Sequence, residues 1–189
     1  ALPLLPEAVR TRSALTCGAD LVFALPAPCA CAGAEAFARA GVALLAAAGC
    51  DGLVFGAETP DAALLMEAAE LLDSDSYRAV LKAQLAGSAR SFAAARQAAA
   101  AKLASDERVA ALLDKPNNNL AVEYCRAIRS LAPRMEAYPL PRQGANHGEA
   151  LHSAHGQFAS ASALRKLWAE GGADAVAPYV PEADFPLYQ

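Results

Sequence analysis

Four polar segments of this chain carry residue types that can handle a charged ligand. The first is Phe55-Gly56-Ala57-Glu58, at the end of an apolar run. A glycine there lets a backbone approach a ligand closely, and it serves equally as an ordinary turn. The second is Lys115-Pro-Asn-Asn-Asn119. Asn amides both donate to and accept from a base or ribose, and they also cap helices. Capping accounts for one Asn, so three in succession suggest that one of them does something else. The third is PLPRQGANHGEALH, which holds Arg142, Gln143, His147, His152 and His155. The histidine spacings match no tight zinc-ligand motif, whereas the guanidinium of Arg142 offers a planar fork suited to phosphate. The fourth is Ser160 and Ser162, with Arg165 one turn further on. At a helix start, free N–H groups, hydroxyls and the dipole all favour an anion, and an ordinary N-cap reads the same way.

These segments need elements to position them. Two short apolar runs with punctuation read as buried strands: Asp20 to Leu25, stopped by Pro26, and Asp51 to Phe55, stopped by Gly56. Each follows a helix, about Pro6 to Cys17 with Gly18 as its stop, and about Cys31 to Ala48 with Gly49 as its stop. Alternating helix and strand is the order of a parallel α/β sheet, in which ligands bind at the carboxyl ends of strands. After Gly56 the pattern turns helical. Pro60 suits a first turn, and Leu64, Leu65, Ala68, Leu71 and Leu72 form a stripe. Helices about 77–85, 92–103 and 107–113 follow, which together read as an insertion over about 60–114. The KPNNN turn is expected to cap a further helix with Leu120, Tyr124, Ala127, Ile128 and Leu131 along one side. A strand at Met135 to Leu140 comes next. A last helix then starts after Ser162, with Leu164, Leu167 and Trp168 inside and Arg165, Lys166 and Glu170 outside.

Composition bounds the class. With 189 residues, 55% of them hydrophobic and 19% charged, the chain can bury a sizeable core and is not disordered. Alanine-rich stretches such as AAARQAAAAKLA favour helices that pack closely. A net charge of −4 gives no electrostatic footprint for nucleic acid, which argues against a self-sufficient RNA-binding module and leaves room for a local basic patch. Cys17, Cys29, Cys31, Cys50 and Cys125 form no CxxC pair and read as buried reduced thiols. With no leader pattern and no uncharged apolar run long enough for a bilayer, a soluble cytoplasmic protein without membrane contact is expected.

Taken together, GADLVFALP, CDGLVFGAE, KPNNNLAVEY and FASASALRKL resemble, in order and rough spacing, the GADLVxELP, FGSE, PNNILGxEY and SATxIRK segments of bacterial tRNA(Met) cytidine acetate ligases. The resemblance runs from about Pro6 to Tyr179. It implies an α/β, Rossmann-like nucleotidyltransferase sheet with a helical insertion, one ATP-binding domain over 1–189, and ATP as substrate, with Mg2+ accompanying it. The implied partners are acetate and elongator tRNA(Met), the wobble cytidine of which becomes N4-acetylcytidine through an acetyl-adenylate. Such a step needs neutralised phosphates and positioned reactants more than a covalent nucleophile. The family's nucleotide contacts fall on Gly56, Asn117 and Arg142, with Gln143 beside the last. Ser160, Ser162 and Arg165 match the phosphate-binding helix start of the wider superfamily. The family's EYNPFHNGH-like segment with its HxGH histidines, its SGNxxQRG segment and its C-terminal domain have no counterpart in these residues, so this chain alone is expected to be inactive. Glu7 and Ala8 replace a Lys-Trp pair, and Ala24 replaces a Glu. Two other functions fit parts of the pattern: a nucleotidyltransferase of a small metabolite, and a non-catalytic interaction protein that kept the fold.

Overall fold

A computed structural model of the chain describes residues 4–87, 91–142 and 159–188. Contacts divide it into two compact units, one built from residues 25–142 and the other from 1–24 with 143–189.

In the first unit, β1 (Gly52–Ala57) and β2 (Glu136–Pro141) form a parallel pair in the register Gly52 to Glu136 through Ala57 to Pro141. Around them lie α2 (Ala27–Ala30), α3 (Ala34–Ala47), α4 (Ala62–Asp73), α5 (Asp75–Gly87), α6 (Phe92–Leu103), α7 (Glu107–Leu112) and α8 (Pro116–Leu131), which gives a mostly helical α/β unit. Helices α4 to α7 occupy the stretch expected as an insertion. Each start carries its own cap: Asp61 accepts from the Leu64 N–H, Ser74 from Tyr77, Ser91 from Ala94 and Asp106 from Arg108. Gly49 stops α3 at φ +84°, the left-handed conformation that a C-terminal stop requires.

The core lies where α4 and α8 pack on the two strands and α3 packs on α8, with Val42, Leu53, Phe55, Leu65, Val122 and Ile128 buried together. The alanine-rich face of α6 buries Ala95, Ala99 and Ala100. On the other face of the strands Val54, Tyr138 and Leu140 are exposed. A Cβ on Gly52 would come within 2.8 Å of the exposed Tyr138 ring, which would have to turn aside to admit it.

The second unit contains α1 (Glu7–Thr16), α9 (Ala161–Val176) and two short 3-10 turns, Ala177–Tyr179 and Phe185–Tyr188. The Ser13 hydroxyl donates to buried Asp184, and the Trp168 and Tyr188 rings lie 6.0 Å apart. α1 stops at Gly18, φ +101°, and α9 breaks at Gly172, φ +67°.

Several expectations are corrected. Residues 20–25 form no strand: they pair with no strand among the described residues, and Leu21 is 72% exposed. Apolarity alone cannot hold a strand whose backbone groups lack a ladder. The three Asn residues do not precede α8 but form its first turn after Pro116, because Pro at the first helical position is preorganised for the helix. The buried side of α8 includes Asn118, Ala121, Glu123 and Cys125, while Leu131 is exposed. In α9, Lys166 and Glu170 are exposed as expected, while Arg165 is half-buried alongside Leu164, Leu167 and Trp168. Of the five cysteines only Cys125 is buried; Cys17, Cys31 and Cys50 are exposed and Cys29 is half-buried, because their short loops and exposed helix faces have no layer packed over them among the described residues.

Candidate nucleotide site

The carboxyl ends of β1 and β2 and the amino end of α8 meet at one place. Parallel pairing sets the two strand ends side by side, and the ladder runs one bond past β2, with the Arg142 backbone N–H donating to the Ala57 carbonyl at 3.1 Å. Arg142 is thereby pinned next to Gly56. A Cβ on Gly56 would meet the Arg142 Cγ at 3.6 Å, an ordinary contact, so the absence of a side chain keeps that surface low without being sterically forced.

α8 begins with an electrostatic deficiency. Lys115 at its N-cap gives no side-chain bond, and no acidic residue lies in its first turn, so its leading N–H groups need an acceptor from elsewhere. Glu58, just past β1, supplies it. One carboxylate oxygen accepts from the Asn117 N–H at 3.2 Å and from Asn117 Nδ2 at 2.7 Å, and the other accepts from the Asn118 N–H at 2.7 Å. Half-burial pushes the Glu58 carboxyl up. The Asn117 side chain and the N–H groups of Asn118 and Asn117 outweigh that and hold it below its ordinary 4.5.

Each Asn has its own task. Asn117 accepts from Arg142 Nη1 at 2.9 Å through its Oδ1. Asn118, 1% exposed, accepts from the Thr59 N–H at 2.9 Å and donates to the Thr59 hydroxyl at 3.1 Å, which clamps the turn after β1. Asn119 donates to the carbonyls of Leu113 and Lys115 at the end of α7. Glu58 and Thr59 were not singled out as site residues in the sequence. The available signal was a helix start with a cation at its N-cap and no acid of its own.

Gly56, Asn117 and Arg142 are thus brought together. Gln143 and the three histidines lie outside the described residues. Ser160, Ser162 and Arg165 belong to the other unit: Ser160 is the N-cap of α9, accepting from the Ala163 N–H at 3.2 Å, Ser162 is exposed, and the Arg165 Nε is buried without a hydrogen-bond partner among the described residues. No group of three or more His, Cys, Asp or Glu side chains able to hold a metal is found among the described residues. None of the described helices is long and apolar enough to cross a membrane.

A separate cleft of about 540 Å³ opens between α3, α5, α6 and α8, away from the strand ends. Its wall includes Glu123, which accepts from Arg96 and, at 2.7 Å, from Arg126 Nη1; Arg126 Nε also donates to Asp73 at 2.8 Å. These charges neutralise one another inside the helical layer.

The chain as a whole is similar to proteins of known family. A family model described as HIGH nucleotidyl transferase matches residues 3–189. A tRNA(Met) cytidine acetate ligase from Syntrophotalea carbinolica is 39% identical over 89% of this chain and 40% of its own length. One from Caldanaerobacter subterraneus is 35% identical over 92% and 43%. The chain thus spans about two fifths of the length of these relatives. Among solved structures, Thermotoga maritima TmcAL crystallised with alpha-thio ATP superposes with a TM-score of 0.82 at 29% identity, covering 96% of this chain and 42% of that one. Its apo form gives 0.85 at 31% identity, covering 96% and 44%.

Proposed function

This chain belongs to the HIGH nucleotidyltransferase family, and on that footing we propose that it is the nucleotide-binding part of an ATP-dependent tRNA-modifying ligase of the cytoplasm. The ligase activates acetate as acetyl-adenylate and transfers the acetyl group to the wobble cytidine of elongator tRNA(Met). The observation that carries the reading is the convergence of Gly56, Asn117 and Arg142 at the carboxyl ends of two parallel strands, in a chain similar along most of its length to tRNA(Met) cytidine acetate ligases.

The chemistry assigns distinct work to these groups. An acetate oxygen attacks the α-phosphorus of ATP, the bond to the bridging oxygen breaks, and pyrophosphate leaves with its charge. The cytidine N4 amine then attacks the acetyl carbon, loses a proton, and AMP departs. Neither step needs a covalent enzyme intermediate; both need phosphate charge held and reactants aligned. Arg142 is exposed and gives one nitrogen to Asn117, which leaves guanidinium donors for a phosphate. Gly56 keeps the adjoining surface open to the nucleotide. Gln143, Ser160, Ser162 and Arg165 are assigned to the same ligand, and Mg2+ accompanies ATP.

The test is incubation of the full-length protein with labelled acetate, ATP and elongator tRNA(Met), followed by nucleoside analysis. N4-acetylcytidine is expected without acetyl-CoA, with AMP and pyrophosphate released. ATP binding measured by calorimetry is expected to weaken about tenfold or more in Arg142→Ala, the loss of a hydrogen bond to a charged group. Absence of acetylcytidine together with intact ATP binding would favour a nucleotidyltransferase of a small metabolite. Absence of both would favour a non-catalytic descendant of the fold.

A further inference from the structure

The polarity of one hydrogen-bonded chain at the strand ends has a direction. The Glu58 carboxylate can only accept, so the Asn117 amide must turn its Nδ2 toward it, and does so at 2.7 Å. The amide oxygen is then left facing the opposite way, where Arg142 Nη1 donates to it at 2.9 Å. Arg142 can only donate. Turning the amide over would set Nδ2 against the guanidinium and Oδ1 against the carboxylate, two repulsive contacts in place of two hydrogen bonds. Glu58 also accepts from the N–H groups of Asn117 and Asn118, so the backbone bearing that amide is held by the same carboxylate.

We infer that Glu58 is a positioning residue of the nucleotide site: it sets the orientation of Asn117, and through it aims the Arg142 guanidinium at the ligand. This rests on the reading of Gly56, Asn117 and Arg142 as an ATP site. Glu58 acts through Asn117 and Arg142, since its carboxylate is directed at α8, from which it accepts three hydrogen bonds. Its contribution is to remove the rotational freedom that Asn117 and Arg142 would otherwise lose on binding.

The experiment compares Glu58→Ala, Asn117→Ala, the double variant, Arg142→Ala and Glu58→Gln in the full-length protein, reading ATP affinity by calorimetry and melting temperature in parallel. Glu58→Ala is expected to weaken ATP about tenfold, and adding it to Asn117→Ala to change affinity by less than about twofold, since both act through one chain of bonds. Glu58→Gln keeps an oxygen for Asn117 Nδ2 but turns an amide nitrogen toward the N–H of Asn118. It is therefore expected to melt earlier while recovering most of the ATP affinity. Additive losses, or an affinity in Glu58→Gln that falls in step with its melting temperature, would show a purely structural cap and overturn the inference. So would wild-type ATP binding in Glu58→Ala alongside weakened binding in Asn117→Ala. If Asn117→Ala and Arg142→Ala both bind ATP as the wild type does, the nucleotide reading of the site fails, and the inference falls with it. Should Glu58→Ala not fold, Glu58→Met, similar in length and without an acceptor, takes its place in every comparison.

Discussion

Replacing Glu123 with Ala tests the helical layer behind the strands. Its side chain is 2% exposed and bridges Arg96 and Arg126, whose side chains are 16% and 22% exposed. Removing one partner of a buried pair costs about 3–5 kcal/mol, mostly because the charge left behind has lost its counter-charge. Here Arg126 keeps Asp73 and the adjoining cleft admits water to Arg96, so the lower end applies, about 3 kcal/mol. For a chain of this size each kcal/mol lowers the melting temperature by about 2–4 °C. The expected drop is then about 6–12 °C in thermal unfolding followed by circular dichroism. The exposed pair of Arg129 with Glu70, at 35% and 61% exposure, is the control, and Glu70→Ala is expected to cost less than about 1 kcal/mol. Equal small drops in both variants would refute the view of Glu123 as a buried counter-charge.

Three further outcomes are expected. Asn118→Ala strands the Thr59 N–H and hydroxyl in a part-buried turn and is expected to cost about 1–3 kcal/mol by urea denaturation, more than Asn119→Ala, one of whose two partner carbonyls, that of Lys115, is exposed. Because the folded Glu58 carboxyl lies below its ordinary 4.5, the unfolded chain takes up the proton first as pH falls. The stabilisation by Glu58 is therefore complete above about 4.5 and is lost as pH drops through the lowered value. The melting temperatures of wild type and Glu58→Ala, well separated at pH 7, are expected to converge in acid. Burial pushes the Cys125 thiol up to about 12, so alkylation of the native protein at pH 8 is expected to mark exposed Cys17, Cys31 and Cys50 and spare Cys125.

What could be read along the chain was what local physics decides. The glycine stops at Gly18 and Gly49, the ends of α6 and the placement of Arg142 just past a strand all depend on neighbours within a few residues. The run Leu21-Val-Phe was misread because a strand exists only with a partner, and partners are not visible in a local pattern. The buried side of α8 was misjudged for a related reason. Glu123 is inside because Arg96, from another helix, neutralises it there, and no periodicity announces a counter-ion. Glu58 went unassigned because its role is defined by a helix start 59 residues further along the chain. The glycine two positions earlier attracted attention through its local turn chemistry alone.

The sequence separation of the two paired strands also bears on how the chain folds. Gly52 lies opposite Glu136 and Ala57 opposite Pro141, so the whole of α4 to α8 must be traversed before a single bond of the ladder can close. The entropy of that closure is lost all at once, while pairing returns it only as successive bonds form. The helices between the strands make neighbouring contacts at much shorter separations, α4 with α5 and α5 with α6. Collapse of that layer, with Leu65, Leu72 and Val122 as its shared apolar centre, brings the strand ends within reach. The site at those ends is accordingly expected to assemble late, the Arg142 backbone bond to Ala57 and the Arg142 bond to Asn117 closing after the helical layer has formed.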